Sequence, residues 1–292
     1  MTGIDIDGYT RLVGLLGEGV GPSPRPRIYN AAFEQAGLNW RCVPLPAPLR
    51  TLREAMLGLR ALGFAGADVL AAFQSDVLAF LDEYSPAAEI IGAANVIWLD
   101  EQERLIGDNT RWLAFAAALH TLTPSLNGLR PLVIGAGQSA HSVVYALARE
   151  GLPVTVVDER IERALDLVQR LRHALDEHSF SVYRWPQDAR RVLPEANLIV
   201  NTLGAMAWPA HMAFPPNALV FDVCASSDGA RFSGGGRAVG ALPLLVYEMM
   251  LTFEKWTGDA PPVDVMWRAV EGVWRGEGMD ETVRTAVPAA VI

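Results

Sequence analysis

Lysine is almost absent from this chain. Of its 24 basic residues only Lys255 is a lysine, so any chemistry that needs a primary amine has a single candidate. Cysteine is scarce as well. Cys42 and Cys224 stand far apart and outside any CxxC pattern, which argues against a zinc site or a disulfide framework. They read as two small hydrophobes of a reducing compartment. The five histidines are scattered and offer no ligand spacing, so no metal is expected. Positive charge is outnumbered, with a formal net charge of -9. That argues against nucleic acid and against an anionic membrane surface, both of which call for basic residues. No long apolar run is present either. A stretch free of charged residues, Pro131 to Ala148, carries Gly135, Gly137, Gln138, Ser139, His141 and Ser142, and reads as strand, turn and helix rather than a span. The opening residues, Met1 to Asp7, are acidic and lack the basic and apolar parts of a signal peptide, so a cytoplasmic location is expected.

What is present is an ordinary globular composition, 51% hydrophobic and 20% charged, over 292 residues. That length suffices for two domains, each with its own core. Strands are expected at Arg11 to Leu16, Trp40 to Leu45, Gly66 to Leu70 and Asn95 to Leu99. Helices are expected at Arg27 to Ala36, Leu49 to Leu62 and Gln74 to Glu83, in the βαβ rhythm of an open α/β sheet. Thr110 to Leu122 reads as a joining helix. A second α/β unit follows, with strands at Leu132 to Ile134, Val154 to Val157, Leu198 to Val200 and Leu219 to Phe221. Its helices are expected at Gln138 to Arg149 and Ile161 to Ala174, and Leu242 to Trp256 is a final helix.

Gly135-Ala136-Gly137-Gln138-Ser139-Ala140 fits G-x-G-x-x-A between a strand and a helix. The first glycine permits a tight turn, the second lets backbone approach a pyrophosphate, and the small Ala140 lets helix pack on strand. The helix N-terminus supplies free N–H groups for phosphates. Asp158 closes the next strand about 20 residues on, where a carboxylate meets ribose hydroxyls. A purely structural glycine turn is the alternative. Asp158 and Glu159 favour NAD over NADP by repelling a 2′-phosphate, and Arg160 is the counterweight that could hold one.

From about Leu12 to Gly258 the chain resembles the shikimate dehydrogenase family, including its quinate/shikimate dehydrogenases. Ser23-Pro24-Arg25-Pro26 with Asn30 and Phe33 matches S-x-S-P-x-x-H-N-x-x-F. Gly92-Ala93-Ala94-Asn95 matches G-A-x-N-T, and Gly107-Asp108-Asn109-Thr110 matches G-x-N-T-D. Asn201-Thr202-Leu203-Gly204-Ala205-Met206 resembles N-x-T-x-x-G-M, and Phe253 to Gly258 the W-T-G end of the last helix. The resemblance implies an α/β fold with an N-terminal α/β substrate-binding domain, a Rossmann-like dinucleotide-binding domain and a cleft between them. The expected divisions are 1–112, 113–240 and a C-terminal part, 241–292, returning to the first domain. It also implies that Asn201, Thr202 and Leu203 join the glycine motif, Asp158 and Arg160 around NAD or NADP. A Lys and an Asp would assist the proton transfer that accompanies hydride transfer.

Several positions depart from the family. Its catalytic lysine falls on Gln74 and its catalytic aspartate on Arg111. The second serine of S-x-S is Arg25, the strand Asn and Thr are Asp68 and Leu70, a Tyr is Ala225, and the substrate-touching Gln of the last helix is Glu248. Gln74 cannot exchange a proton usefully and Arg111 stays charged, so the usual acid/base pair is missing. The charges are rearranged rather than erased, as in a pocket retuned for another ligand. Ser23, Arg25, Asn95, Arg111 and Glu248 are the expected substrate contacts, with Arg25 and Arg111 able to clamp a carboxylate or phosphate. Asp68 or Glu248 is the candidate base. Arg111 pairing with one of them to fill space, and Asn95 tying a loop, are the structural alternatives. The expected activity is an NAD(P)-dependent oxidoreductase acting on a small polar hydroxy acid or cyclic polyol, as a monomer or homodimer. The alternative is a non-catalytic dinucleotide or metabolite sensor.

Overall fold

The computed structural model describes residues 6–123, 125–175, 179–203, 214–224 and 237–273. The chain forms two compact units: Met1–Thr110 with Glu248–Arg275, and Arg111–Tyr247. Among the described residues no helix is long and apolar enough to cross a membrane.

In the first unit the chain runs through β1 (Arg11–Gly17), α1 (Arg25–Gln35), β2 (Trp40–Pro46), α2 (Leu52–Ala61), β3 (Gly66–Val69), β4 (Glu83–Tyr84), α3 (Pro86–Ile91), β5 (Val96–Leu99) and β6 (Leu105–Asp108). The sheet order is β2-β1-β3-β5-β6-β4. β1, β2 and β3 are parallel, whereas β5 runs antiparallel to both β3 and β6. The open α/β sheet expected from the sequence is therefore a mixed one. The cause is the short Asp100–Arg104 connection between β5 and β6, which closes a hairpin and leaves no room for a crossover. Asp100 Oδ1 pins it by accepting the Gln102 and Arg104 N–H groups, with Glu103 at φ 59.

α1 forms around an apolar stripe, Ile28, Tyr29, Ala32 and Phe33, all fully buried. Its Asn30 amide clasps β2, donating to the Cys42 carbonyl at 3.0 Å and accepting the Cys42 N–H at 2.7 Å. Leu52, Met56 and Leu59 bury one face of α2. The helix expected from Leu49 begins instead with a 3-10 turn, Leu49–Thr51, because Pro46 and Pro48 hold the incoming chain extended. Leu49 is exposed. The helix expected at Gln74 to Glu83 is a pair of 3-10 turns, Ala71–Phe73 and Asp76–Phe80, followed by β4. A segment this short, whose only buried apolar side chains are Phe73 and Val77, has too little to offset α-helix nucleation.

The second unit contains α4 (Arg111–Leu122), β7 (Pro131–Ile134), α5 (Gln138–Arg149), β8 (Val154–Asp158), α6 (Ile161–Ala174), β9 (Phe180–Arg184), α7 (Ala189–Val192), β10 (Leu198–Asn201), β11 (Leu219–Asp222) and β12 (Arg237–Val239). Its sheet is parallel throughout, in the order β12-β11-β10-β7-β8-β9. Counted from β7, that is the 3-2-1-4-5-6 order of a doubly wound dinucleotide fold, with the order reversing between β7 and β10. Central strands β7, β8 and β10 are almost wholly buried, matching their continuous Val, Ile and Leu runs. The chain closes with α8 (Leu242–Thr257) and α9 (Val263–Val273), the latter packed on α1.

One glycine in the first unit holds a place for a distant side chain. Trp256 donates its indole N–H to the Ile97 carbonyl at 3.0 Å while lying over Gly66. A Cβ on Gly66 would stand 2.3 Å from that carbonyl oxygen and 2.6 Å from Trp256 Nε1. Gly66→Ala is expected to push the indole out and cost about 2–4 kcal/mol, from overpacking and a lost hydrogen bond. Urea unfolding measures it; a loss within about 0.5 kcal/mol, typical of a surface change, would mean the indole is not held there.

Candidate functional site

In the first unit, α1, β3 and α8 bring three charged side chains together in the interior. Arg25 Nη1 donates to Asp68 Oδ2 at 2.6 Å and Nη2 to Glu248 Oε1 at 2.7 Å. Tyr29 Oη donates to the same Asp68 oxygen at 2.8 Å. The Asp68 and Glu248 side chains are 1% exposed and that of Arg25 11%, so these are buried ion pairs. Asp68 Oδ1 is buried without a hydrogen-bond partner. Burial works against the Arg25 charge, but Asp68 and then Glu248 outweigh it and hold the guanidinium well above its usual value. Burial raises the Asp68 carboxyl above the ordinary carboxylate range; Arg25 opposes the shift and Glu248 adds to it. Tyr29 is likewise pushed up, by burial and then by Asp68.

This geometry differs from the expected carboxylate clamp at Arg25. Both terminal nitrogens of its fork already serve the protein's own carboxylates. Ser23 is half-buried, with its Oγ 3.4 Å from the Arg25 N–H. Tyr29 was missed from the sequence, although its place one turn beyond Arg25 on α1 sets it on the same side of the helix.

The remaining family positions hold the backbone. The Gln74 amide donates to the Val69 carbonyl at 2.8 Å, closing the turn after β3, and the residue is 3% exposed. Asn95 accepts the Thr110 N–H at 2.7 Å and donates to Thr110 Oγ1 at 2.9 Å, the geometry of a loop tie. Asn109 donates to the Ala93 carbonyl. The lone lysine, Lys255, pairs with Asp108 at 2.9 Å and lies 5.7 Å above the Trp98 ring. Arg111 opens α4 in the second unit, where Trp112 packs edge-on against Tyr145.

In the second unit the glycine loop follows β7, at the reversal in strand order. Gly135 has φ 104, and its N–H donates to the Val157 carbonyl at 2.7 Å. Asp158 is 3% exposed; its carboxylate accepts the Ala136 N–H and the Arg160 N–H, each at 2.8 Å, strapping the loop to the end of β8. Thr202 Oγ1 donates to the Ile134 carbonyl, while Asn201 donates to Asp222 and accepts the Leu203 N–H. Ala140 is fully buried beneath the loop. Gly137, at the N-terminus of α5, is exposed, and a Cβ there would meet nothing within 4 Å. Gln138 Nε2 is buried without a hydrogen-bond partner. Ser139 is half-buried in the first turn of α5. Open space above Gly137, an unspent donor beside it and the positive end of α5 together fit a pyrophosphate. Ala225, a family departure, lies outside the described residues, as do Gly204, Ala205 and Met206 of the motif after β10.

Comparison with known proteins agrees with both halves. The family model described as the shikimate dehydrogenase substrate binding domain matches residues 15–97. A protein of Desulforamulus reducens named shikimate dehydrogenase (NADP(+)) is 34% identical over 280 residues, covering 89% of this chain and 94% of its own length. One of the same name from Carboxydothermus hydrogenoformans is 30% identical, covering 91% and 98%. The crystal structure of shikimate dehydrogenase from Aquifex aeolicus superposes with a TM-score of 0.81 at 26% identity, over 91% of this chain and 99% of that one. The mixed-sheet unit, the parallel unit with its glycine loop, and relatives matched over nearly their whole length lead to one conclusion: this chain belongs to the shikimate dehydrogenase family.

Proposed function

We propose that the protein is an NAD(P)-dependent oxidoreductase of this family whose substrate is a small polar hydroxy compound, a hydroxy acid or cyclic polyol, other than shikimate. The observation that carries this is the contrast between the two units. The glycine loop fits a dinucleotide, while the substrate side has exchanged its acid/base pair for Gln74 and Arg111 and gathered Asp68, Glu248 and Arg25 in its interior. A bound dinucleotide supplies the hydride acceptor or donor. The α5 N-terminus and the space above Gly137 would seat its phosphates. Asp158 and Arg160 would lie by the adenosine ribose, and Asn201, Thr202 and Leu203 would border the loop. Asp158 carries the preference for NAD(H), since a buried carboxylate repels a 2′-phosphate; the two relatives are named for NADP(+).

Asp68 is the group for the proton. Burial raises its carboxyl above the ordinary carboxylate range, and Oδ1 has no hydrogen-bond partner, so it can accept from a substrate hydroxyl. Gln74 has no titratable proton, and its amide is spent on Val69. That last bond favours a second reading, a binding protein that holds dinucleotide and metabolite without turnover.

Calorimetric titration with NAD⁺, NADH, NADP⁺ and NADPH is the first test. Tight NAD(H) binding is expected, with NADP(H) at least about tenfold weaker. Gly137→Val is expected to weaken binding on the order of a hundredfold and leave the unfolding midpoint unchanged, because the added methyl groups enter the ligand's space and no protein atom's. No binding by any of the four cofactors would overturn the proposal. Binding without hydride transfer to a panel of hydroxy acids and polyols would leave the second reading.

A further inference from the structure

At the carboxyl edge of the parallel sheet stands an arginine that the glycine loop does not involve. Arg184 ends β9, the neighbour of β8, in register with Asp158. Aligned residues of adjacent parallel strands point to the same face, their backbones about 4.8 Å apart. The Arg184 side chain therefore rises beside the carboxylate proposed for the adenosine ribose.

Its backbone is closely fixed. Asp188 Oδ2 accepts the Arg184 N–H at 2.9 Å, and the Asp188 N–H donates back to the Arg184 carbonyl at 2.9 Å. The next residue, Trp185, is buried and donates its N–H to the Asp158 carbonyl at 2.9 Å, tying the ends of β8 and β9 together. The guanidinium, by contrast, is lightly engaged. Its side chain is 47% exposed, and Nη2 lies 3.9 Å from Oε1 of Glu162 in the first turn of α6. That is too long for a hydrogen bond, and an exposed pair of this kind contributes little. A cation with N–H groups to offer, carried on a rigid strand end, is the arrangement of a binding residue.

The charges nearby narrow what it can bind. Asp158 and Glu159 close β8 and Glu162 opens α6, so three anions weigh against a phosphate here. The 2′ position of this ribose is where NAD and NADP differ. A planar guanidinium fits a phosphate with two parallel N–H donors.

We propose that Arg184 is a specificity-determining residue of the cofactor site, facing the 2′ side of the adenosine ribose and supplying the affinity for NADP(H) that persists against the repulsion of Asp158. The proposal rests on the dinucleotide reading and adds to that site a residue from the strand beyond Asp158. Asp158 sets which cofactor is preferred; Arg184 sets how far the other is excluded. Glu162 draws part of the guanidinium's charge and so deepens the exclusion.

Calorimetry of the full-length protein with NADH, NADPH, 5′-AMP and adenosine 2′,5′-bisphosphate reads this directly, because the members of each pair differ only in the 2′-phosphate. Arg184→Gln is expected to weaken NADPH and the bisphosphate about tenfold, and to change NADH and 5′-AMP less than about twofold. Glu162→Gln is expected to tighten NADPH about threefold, with NADH again unchanged. Both side chains are exposed, so neither substitution disturbs a packed interior. An NADPH-to-NADH affinity ratio that is the same in wild type and Arg184→Gln overturns the proposal alone. That result covers two cases: neither cofactor is affected, or both weaken together, as for a guanidinium on the adenine. Failure of wild-type protein to bind NADPH or the bisphosphate at millimolar concentration, while NADH binds, also overturns it alone. If NADH and NADPH both fail to bind wild type, the dinucleotide reading falls and this proposal with it.

Discussion

Replacing Arg25 with methionine is expected to destabilise the protein by about 3–5 kcal/mol, because it leaves Asp68 and Glu248 buried without their cation. Methionine keeps much of the side chain's bulk, so the loss reports charge more than cavity. The cost depends on pH, and its sign is fixed. Asp68 is already raised above 3.8 with Arg25 present, through burial, and losing the cation raises it further. A carboxyl raised on folding favours the folded state below its ordinary value, and that contribution is lost as pH climbs through the folded value. The variant should therefore be least handicapped in acid and most handicapped above neutrality. Urea unfolding at about pH 5 and about pH 8 tests this, and an equal penalty at both would show that the two carboxylates do not depend on Arg25.

The second large effect lies at Gly135. Its φ of 104 is closed to side-chain-bearing residues, and a Cβ would stand 2.5 Å from Thr202 Oγ1 and 2.8 Å from Leu203 Cδ2. Gly135→Val is expected to cost about 2–5 kcal/mol from backbone strain and overpacking, and to abolish dinucleotide binding along with it. Gly137→Val, two residues away, touches only the ligand's space. Thermal unfolding and cofactor titration of both variants form one experiment. If Gly135→Val binds cofactor normally, the loop does not hold the phosphates; if both variants unfold alike, the open space above Gly137 is not there.

The sequence is most legible where chemistry is local. Gly135 to Ala140, the apolar runs of β7, β8 and β10, and the stripe of α1 each declare themselves within a dozen residues. The parts that did not are short or settled by partners. Leu105–Asp108 ends on glycine and aspartate and looks like a loop until β5 pairs with it. Phe180–Arg184 is a half-exposed edge strand with one buried residue. Pro86–Ile91 is a helix of six residues held by the Ser85 cap. Resemblance marked positions 25, 68 and 248 as altered, but their pairing spans separations of 43 and 223 residues, and no local pattern carries that. Asn95 and Gln74 show the same limit. Their residue types suit a ligand, and only the geometry reveals bonds to Thr110 and Val69.

Trp256 over Gly66, and Glu248 on Arg25, also set the order of events during synthesis. Both come from α8, which leaves the ribosome after all six strands of the parallel sheet. Until then the nascent first unit has a groove above β3 where the indole belongs, and Arg25 lacks one of its two anions. The strands of the parallel sheet, β7 to β12, all precede α8 in sequence, so that sheet can close first. The N-terminal half of this protein is thus made early and completed late, and the residues that complete it are the ones that set its charge.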